Sequence, residues 1–392
     1  MQAPFRPGKF PARFGGTVLA AAALAAAAAL AGPAAASAAA TAQQQFAPGA
    51  ARALFVQTDN LAGNQVVAYH RAADGTLALA GTYPTGGLGG QLGGSVVDHL
   101  ASQGSLGYDR GPGLLIAVNA GSDTVSVFAA SGDRLALRQV IGSGGVFPVS
   151  VAVRGSLVYV LNALGGGWLQ GFRVDFGRLV PIPGSGRPLG LNPSASPQFT
   201  NTPGQAAFSP DGRQLIVTTK ANGNDIDVFG VRPDGRLSPG PVVNAEPGTV
   251  PFAIAFDPAG HLVIADAGTN ALSTFALSPG GTLTALDSVG TGQSATCWVA
   301  ADGDLEFASS AGSATVSGYV VSAGGQLTLT GQTPTDPGTV DAAVTPSGRF
   351  VYVQTGGNGV VDEFAVGSGG SLTEIGQVTV AGAVGGEGIV AP

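Results

Sequence analysis

The stretch Pro203-Gly204-Gln205-Ala206-Ala207-Phe208-Ser209-Pro210-Asp211-Gly212 decides the fold, together with Gln214-Leu215-Ile216-Val217-Thr218-Thr219, Asp225-Ile226-Asp227-Val228-Phe229 and Gly235-Arg236-Leu237 behind it. Each piece is the length of a strand and ends in turn chemistry. The same order of pieces returns as Pro251 to Gly260, His261 to Asp266, Ala271 to Phe275 and Gly281-Thr282-Leu283. It returns again as Thr339 to Gly348, Phe350 to Gln354, Val360 to Phe364 and Gly370-Ser371-Leu372. The turns after the first piece fall near Pro112, Gly155, Gly212, Gly260, Gly303 and Gly348. Four strands recurring every 40–50 residues or so are the blades of a propeller. Six full blades follow.

A seventh is divided between the two ends of the repeat region. Ala53 to Gln57, Gln65 to Tyr69 and Gly75 to Leu79 read as second, third and fourth strands with no first strand before them. Val384-Gly385-Gly386-Glu387-Gly388-Ile389-Val390-Ala391-Pro392 matches a first strand with nothing after it. Pairing the two removes every open sheet edge from the ring. The fold class is therefore all-β, a seven-bladed propeller of four-stranded blades closed by the C-terminal strand. A β-sandwich array or a parallel β-helix would not need this complementary truncation.

Composition agrees. The 392 residues include 64 Gly and 26 Pro, 44% are apolar and only 10% are charged, which suits short strands joined by tight turns. A net charge of −7, with Lys9 and Lys220 the only lysines, argues against nucleic acid as a partner. One cysteine, Cys297, excludes an intrachain disulfide or a multi-cysteine metal site.

At the N-terminus, Arg6, Lys9 and Arg13 precede an apolar run from Gly16 to Gly32 and the small-residue site Ala36-Ser37-Ala38. This is the pattern of an export signal, and the run is shorter than the roughly 20 residues that span a bilayer. The expected organisation is a signal peptide at 1–38, a linker at 39–50 and the propeller at 51–392. The expected product is a secreted, extracellular monomer with no integral membrane segment after cleavage.

The segments Phe208-Ser209-Pro210-Asp211-Gly212-Arg213, Leu114 to Asn119, Leu157-Val158-Tyr159-Val160-Leu161-Asn162 and Phe350-Val351-Tyr352-Val353-Gln354-Thr355 resemble the lactonase-like seven-bladed propellers, the 6-phosphogluconolactonase-like and YVTN-repeat proteins. The resemblance covers about 50–392 and identifies fold better than activity. It implies a site of His, Arg and Glu around the channel mouth, with Pro-Arg-His opening certain first strands and Glu after the second. Those positions are not retained. Pro203-Gly204-Gln205 and Pro251-Phe252-Ala253 stand for Pro-Arg-His, and Lys220 or Ala267 stands for the Glu. With so few cations there, a phosphosugar substrate is disfavoured.

Aligning the seven first strands gives a ring of Ser105, Ser150, Gln205, Ala253, Thr296, Asp341 and Glu387. Six of the seven are polar beside apolar neighbours, so the ring is expected to face water in the channel. Asp341 and Glu387, in adjacent blades, would form a carboxylate pair with one raised pKa, an acid and a base near neutral pH. His99, in the Gly-rich loop from Pro84 to Gln103, is a candidate mobile base. The candidate catalytic residues are therefore Asp341, Glu387 and His99. Candidate binding residues are Gln205, Lys220, Thr296, Ser105, Ser150, Phe252 and Arg187, the last on an insertion from Arg187 to Thr202 expected to reach over the mouth. Phe147, Phe199, Phe252 and Trp168 would form an apolar rim.

No metal or cofactor is expected. Asn222 to Asp227 resembles part of a calcium loop but lacks the bidentate Glu, and Cys297 beside Trp298 reads as a small buried hydrophobe. Neither a G-x-S-x-G elbow nor an H-E-x-x-H helix is present. Two functions fit: a lactonase-type hydrolase acting on a small neutral lactone at the channel mouth, or a non-catalytic binding propeller for a small molecule, glycan or protein.

Overall fold

The computed structural model describes residues 52–392; the expected signal and linker lie outside the described residues. Seven antiparallel sheets form the ring, six of them built on four strands consecutive in the chain and one closed by the last strand. Blade 1 comprises residues 53–84 with Ile389–Val390. Blades 2 to 7 comprise 106–142, 148–181, 206–245, 251–290, 296–334 and 339–379. Blade 3 carries an extra short strand, Arg187–Pro188, that returns to pair with Trp168–Asp175.

Burial follows from position in a blade. Second strands lie between neighbouring blades on both faces, so Leu114–Asn119 and Phe350–Thr355 are buried at every residue. Such strands read as continuous apolar runs. Fourth strands form the outer wall, and Arg134–Gly142 is mostly exposed. In five blades the register between third and fourth strands shifts by one residue, as at Val127/Phe128 and Glu363/Phe364. A bulge there adds the twist that an outer strand of a blade needs.

Tyrosines tie blade to blade. Tyr159 donates to the Gly235 carbonyl of blade 4 at 2.8 Å, and Tyr352 to the Gly75 carbonyl of blade 1 at 2.6 Å. Closure is made where expected but by a shorter strand: Val56 pairs with Ile389, Phe55 with Val390, and the Gln57 N–H reaches the Gly388 carbonyl. Gly385 and Gly388 take positive φ, the ladder begins only at Ile389, and Glu387 between them turns to the loop after blade 1, where it accepts the Gly104 N–H.

Candidate functional site

First strands begin at one face of the ring, here the entry face, and end at the other. The loop between blades 1 and 2 leaves the entry face and folds into the channel, where it becomes a plug. Leu92, Asp98, Leu100, Ala101, Ser102 and Gln103 are all buried. The plug is tied to blades all round the ring. The His99 N–H donates to the Gly385 carbonyl at 2.8 Å and the Gln103 N–H to the Gly204 carbonyl at 3.2 Å. Trp298 Nε1 donates to the Ser102 carbonyl and Ser102 Oγ to the Val149 carbonyl. The Gln103 amide pairs with Val299 as a strand would, giving its Nε2 to the carbonyl at 2.8 Å and taking the N–H at 3.0 Å.

Four carboxyl groups and one amine support this plug. Asp98 accepts the N–H groups of Leu100, Ala101 and Ser102 at 2.8–3.0 Å, which fixes the turn. Glu387 accepts the Gly104 N–H at 2.9 Å and lies within 3.5 Å of Ser102 Oγ. Asp341 accepts the N–H groups of Ala342 and Ile389 and is hydrogen-bonded to Glu387. Asp59 accepts from the Gln57 amide and the Glu387 N–H. Lys220 Nζ donates to the Ala101 and Phe199 carbonyls, both at 2.6 Å, and to Thr202 Oγ1, and sits 5.1 Å from the Phe252 ring centroid.

Burial sets the electrostatics. Asp98 is pushed up to about 6, held there by its three N–H donors and by Lys220. Asp59 rises to about 8 and Asp341 to about 7, both through loss of water. Glu387 rises well above the usual carboxylate range, first by burial and then by the charges of Asp341, Asp98 and Asp59. The Asp341–Glu387 pair therefore retains a proton at neutral pH. Lys220 falls to about 7 because an ammonium without water is costly, despite the attraction of Asp98.

The structure brings Asp341 and Glu387 together as the sequence suggests, yet in a different medium. Ser105, Ser150, Ala253, Thr296 and Glu387 are 0% exposed, Asp341 4% and Gln205 9%. The ring is buried in hydrogen bonds to neighbouring blades and, through Glu387, to the plug, where water was expected. Ser105 Oγ donates to the Glu387 carbonyl, Gln205 accepts the Ile254 N–H, and Ser150 accepts the Ala206 N–H. Thr296 bonds Ser310 and Thr291 within its own blade. His99 is held in the plug with its ring against Gly385, where a Cβ would collide with it, and burial lowers its pKa. Cys297 packs with the hydrophobic cluster containing Trp298, and its thiol is pushed up to about 12 by burial.

Two further expectations are corrected. Arg187 does not reach over the mouth: paired beside Leu169, it donates to the Leu237 and Ser238 carbonyls of blade 4. Three of the four rim aromatics are a seat for the plug, while Trp168 packs against Gly186 in blade 3. Phe147 packs under Gly90, Phe199 under Gly94, and Phe252 lies edge-on to Trp298. Gln198 does reach the loop, accepting the Gly93 N–H at 2.8 Å. Asp59, Asp98, Gln103 and Trp298 were not singled out as site residues. The one signal pointing to the plug was the length of the Gly-rich loop.

The channel opens at the opposite face. A cup of about 350 Å³ has Gln103 as its floor. Its wall is built from small residues at first-strand ends, including Ala255, Ala300, Ala301, Ala342 and Ala343. Among the described residues, no group of three or more His, Cys, Asp or Glu side chains is placed to hold a metal.

Comparison with solved structures settles the family of folds. The chain superimposes on a protein from Lactobacillus plantarum (TM-score 0.70, 20% identity) and on the Pseudomonas aeruginosa periplasmic gluconolactonase PpgL (0.69, 17%). It also matches a candidate 6-phosphogluconolactonase from Bacteroides uniformis (0.69, 19%). Each match covers 86% of this chain and 98% of the other. The fold is that of the lactonase-like propellers. No family model and no curated protein matches the sequence. Within this lactonase-like frame the features that bear on function are the plugged entry face and the cup beneath it.

Proposed function

We propose that this lactonase-like propeller is an exported binding protein that takes a small ligand in the cup on its open face. One observation carries the reading: the carboxylates at the entry mouth are spent on backbone N–H groups of the plug and of the ring-closing segment. A general base must reach its substrate or a water, and Glu387 and Asp341 have no exposed path to either. The cup offers the concave shape expected of a small-molecule site, with one buried amide at its base. Export rests on the N-terminal sequence pattern. The test is titration with a library of small polar ligands, observed by NMR or in crystals. Ligand contacts at Ala300, Ala343 and Gln103 are expected; ligands that bind beside Asp341 with the plug displaced would overturn the reading.

A second reading, hydrolysis of a small neutral lactone, is favoured by the proton held between Asp341 and Glu387. It requires the plug to open. A screen of γ- and δ-lactones with wild type, Asp341→Asn and Glu387→Gln decides it. Hydrolysis lost in both amide variants, with melting temperatures held, would establish this reading over the first.

A further inference from the structure

A second cavity, of about 450 Å³, lies on blade 2 between the turn Arg110-Gly111-Pro112-Gly113 and the hairpin around Gly132. It owes its depth to small residues, since Ala129, Ala130 and Ala136 line it where a larger side chain would fill it. Three guanidinium groups surround it: Arg110, Arg134 and Arg138. All three are exposed. None makes an ion pair or side-chain hydrogen bond with a described residue, whereas other arginines such as Arg173, Arg187 and Arg213 are engaged. The nearby acids make no ion pair with them: Asp133 is bonded to His70 at 3.2 Å, and Asp109 accepts the Gly111 N–H on Oδ1 at 3.0 Å while its buried Oδ2 has no partner among the described residues.

Three arginines without a partner among the described residues gather around one cavity in a chain with 17 basic against 24 acidic residues. Like charges gathered without partners cost free energy, and an anion that bridges them recovers it. Tyr108 and Arg110 line both this cavity and the cup, so the two adjoin. The blade 2 cavity is cationic, whereas the cup is walled mainly by small and apolar residues, with Gln103 and the shared Tyr108 and Arg110 as its polar side chains.

Building on the cup as a binding site, we infer that the cup and the blade 2 cavity form one extended site for a short acidic oligosaccharide, with the arginines holding its carboxylate or sulfate groups. Guanidinium forks match both oxyanions in bidentate geometry. The Tyr108 ring at the junction offers an apolar face with a polar tip, suited to a sugar ring. A short chain fits better than a long polyanion, because the net charge of −7 repels anything that extends far beyond the arginines.

The test is calorimetric titration of wild type and the double variant Arg134→Gln/Arg138→Gln with tetragalacturonate, a heparin-derived tetrasaccharide, maltotetraose and sodium sulfate. Both substitutions are on the exposed outer strand, so an unchanged melting temperature certifies the fold. Binding of either acidic tetrasaccharide is expected, weakened at least about tenfold in the double variant and further by added salt; the preferred one identifies the oxyanion. Maltotetraose binding as well as the acidic sugars, untouched by the double variant, would overturn the inference while leaving the cup a ligand site. Sulfate binding as tightly as the saccharides, or no saccharide binding at all, would also overturn it, and the cup would then stand or fall on the ligand-library titration alone.

Discussion

Replacing Gln103 by Leu removes one of the plug's two neutral anchors to blade 6, the other running from Trp298 to Ser102, and gives the cleanest measure of how firmly the plug is held. The wild-type amide satisfies both backbone groups of Val299, at 2.8 and 3.0 Å. A leucine of similar volume leaves that N–H and that carbonyl without partners. A buried orphan of this kind costs about 1–3 kcal/mol. Because Gln103 also floors the open cup, water can rescue part of the loss. The expected destabilisation is about 2–4 kcal/mol. In a ring of this size that is a fall in Tm of about 3–6 °C. Since neither residue titrates, the loss should be equal at pH 5 and pH 8. Urea denaturation followed by fluorescence is a suitable assay, because Trp298 donates to the plug carbonyl of Ser102. A Tm within about 1 °C of wild type, with unchanged fluorescence, would refute the anchoring argument.

Further expectations concern pH, a buried acid and ring closure. Native pKa values raised at Asp98, Asp341, Asp59 and Glu387 mean that the folded state binds more protons than the unfolded one, so stability should fall as pH rises from about 4 to about 8. Lys220, lowered to about 7, acts in the opposite direction only above that pH; a Tm highest at pH 8 rather than pH 5 would contradict this. Glu306 is 0% exposed with both carboxyl oxygens unpartnered among the described residues, and burial and the charge of Asp257 raise its pKa. Glu306→Met should therefore stabilise the fold by about 1–3 kcal/mol at neutral pH, and a loss measured in urea would show that the carboxyl has a partner. Deleting residues 385–392 removes the closing strand, Glu387 and the Gly385 contact to the plug. Aggregation through the opened edge of blade 1 is expected, and a soluble product with unchanged Tm in light scattering and melting experiments would oppose it.

The seven-bladed ring was legible because blade periodicity repeats in local sequence: each Pro, Gly and Asp-Gly turn marks a strand end within a few residues. The plug was not, because its contacts are non-local. Glu387 meets Gly104 across 283 residues, and Gln103 meets Val299 across 196. A polar ring lining a water-filled channel and one buried in hydrogen bonds between blades have the same sequence pattern, so Ser105, Thr296 and Asp341 read alike in either case. Arg187 was misplaced for a related reason. Its insertion turns back to pair with Leu169, an excursion that no repeat anticipates. The blade 2 arginines escaped notice because Arg110 lies in a turn and Arg134 on the outer strand, and only the folded blade brings them to one cavity.

The most direct test of the sealed entry face is amide hydrogen exchange of the wild-type protein at the plug. The N–H groups of Leu100, Ala101 and Ser102 are bonded to Asp98 within a buried cluster. They should exchange as slowly as those of the inner strands, through global unfolding alone. Exchange at loop-like rates for these three amides, with the blades still protected, would show a plug that opens freely and would return the channel mouth to the list of accessible catalytic sites.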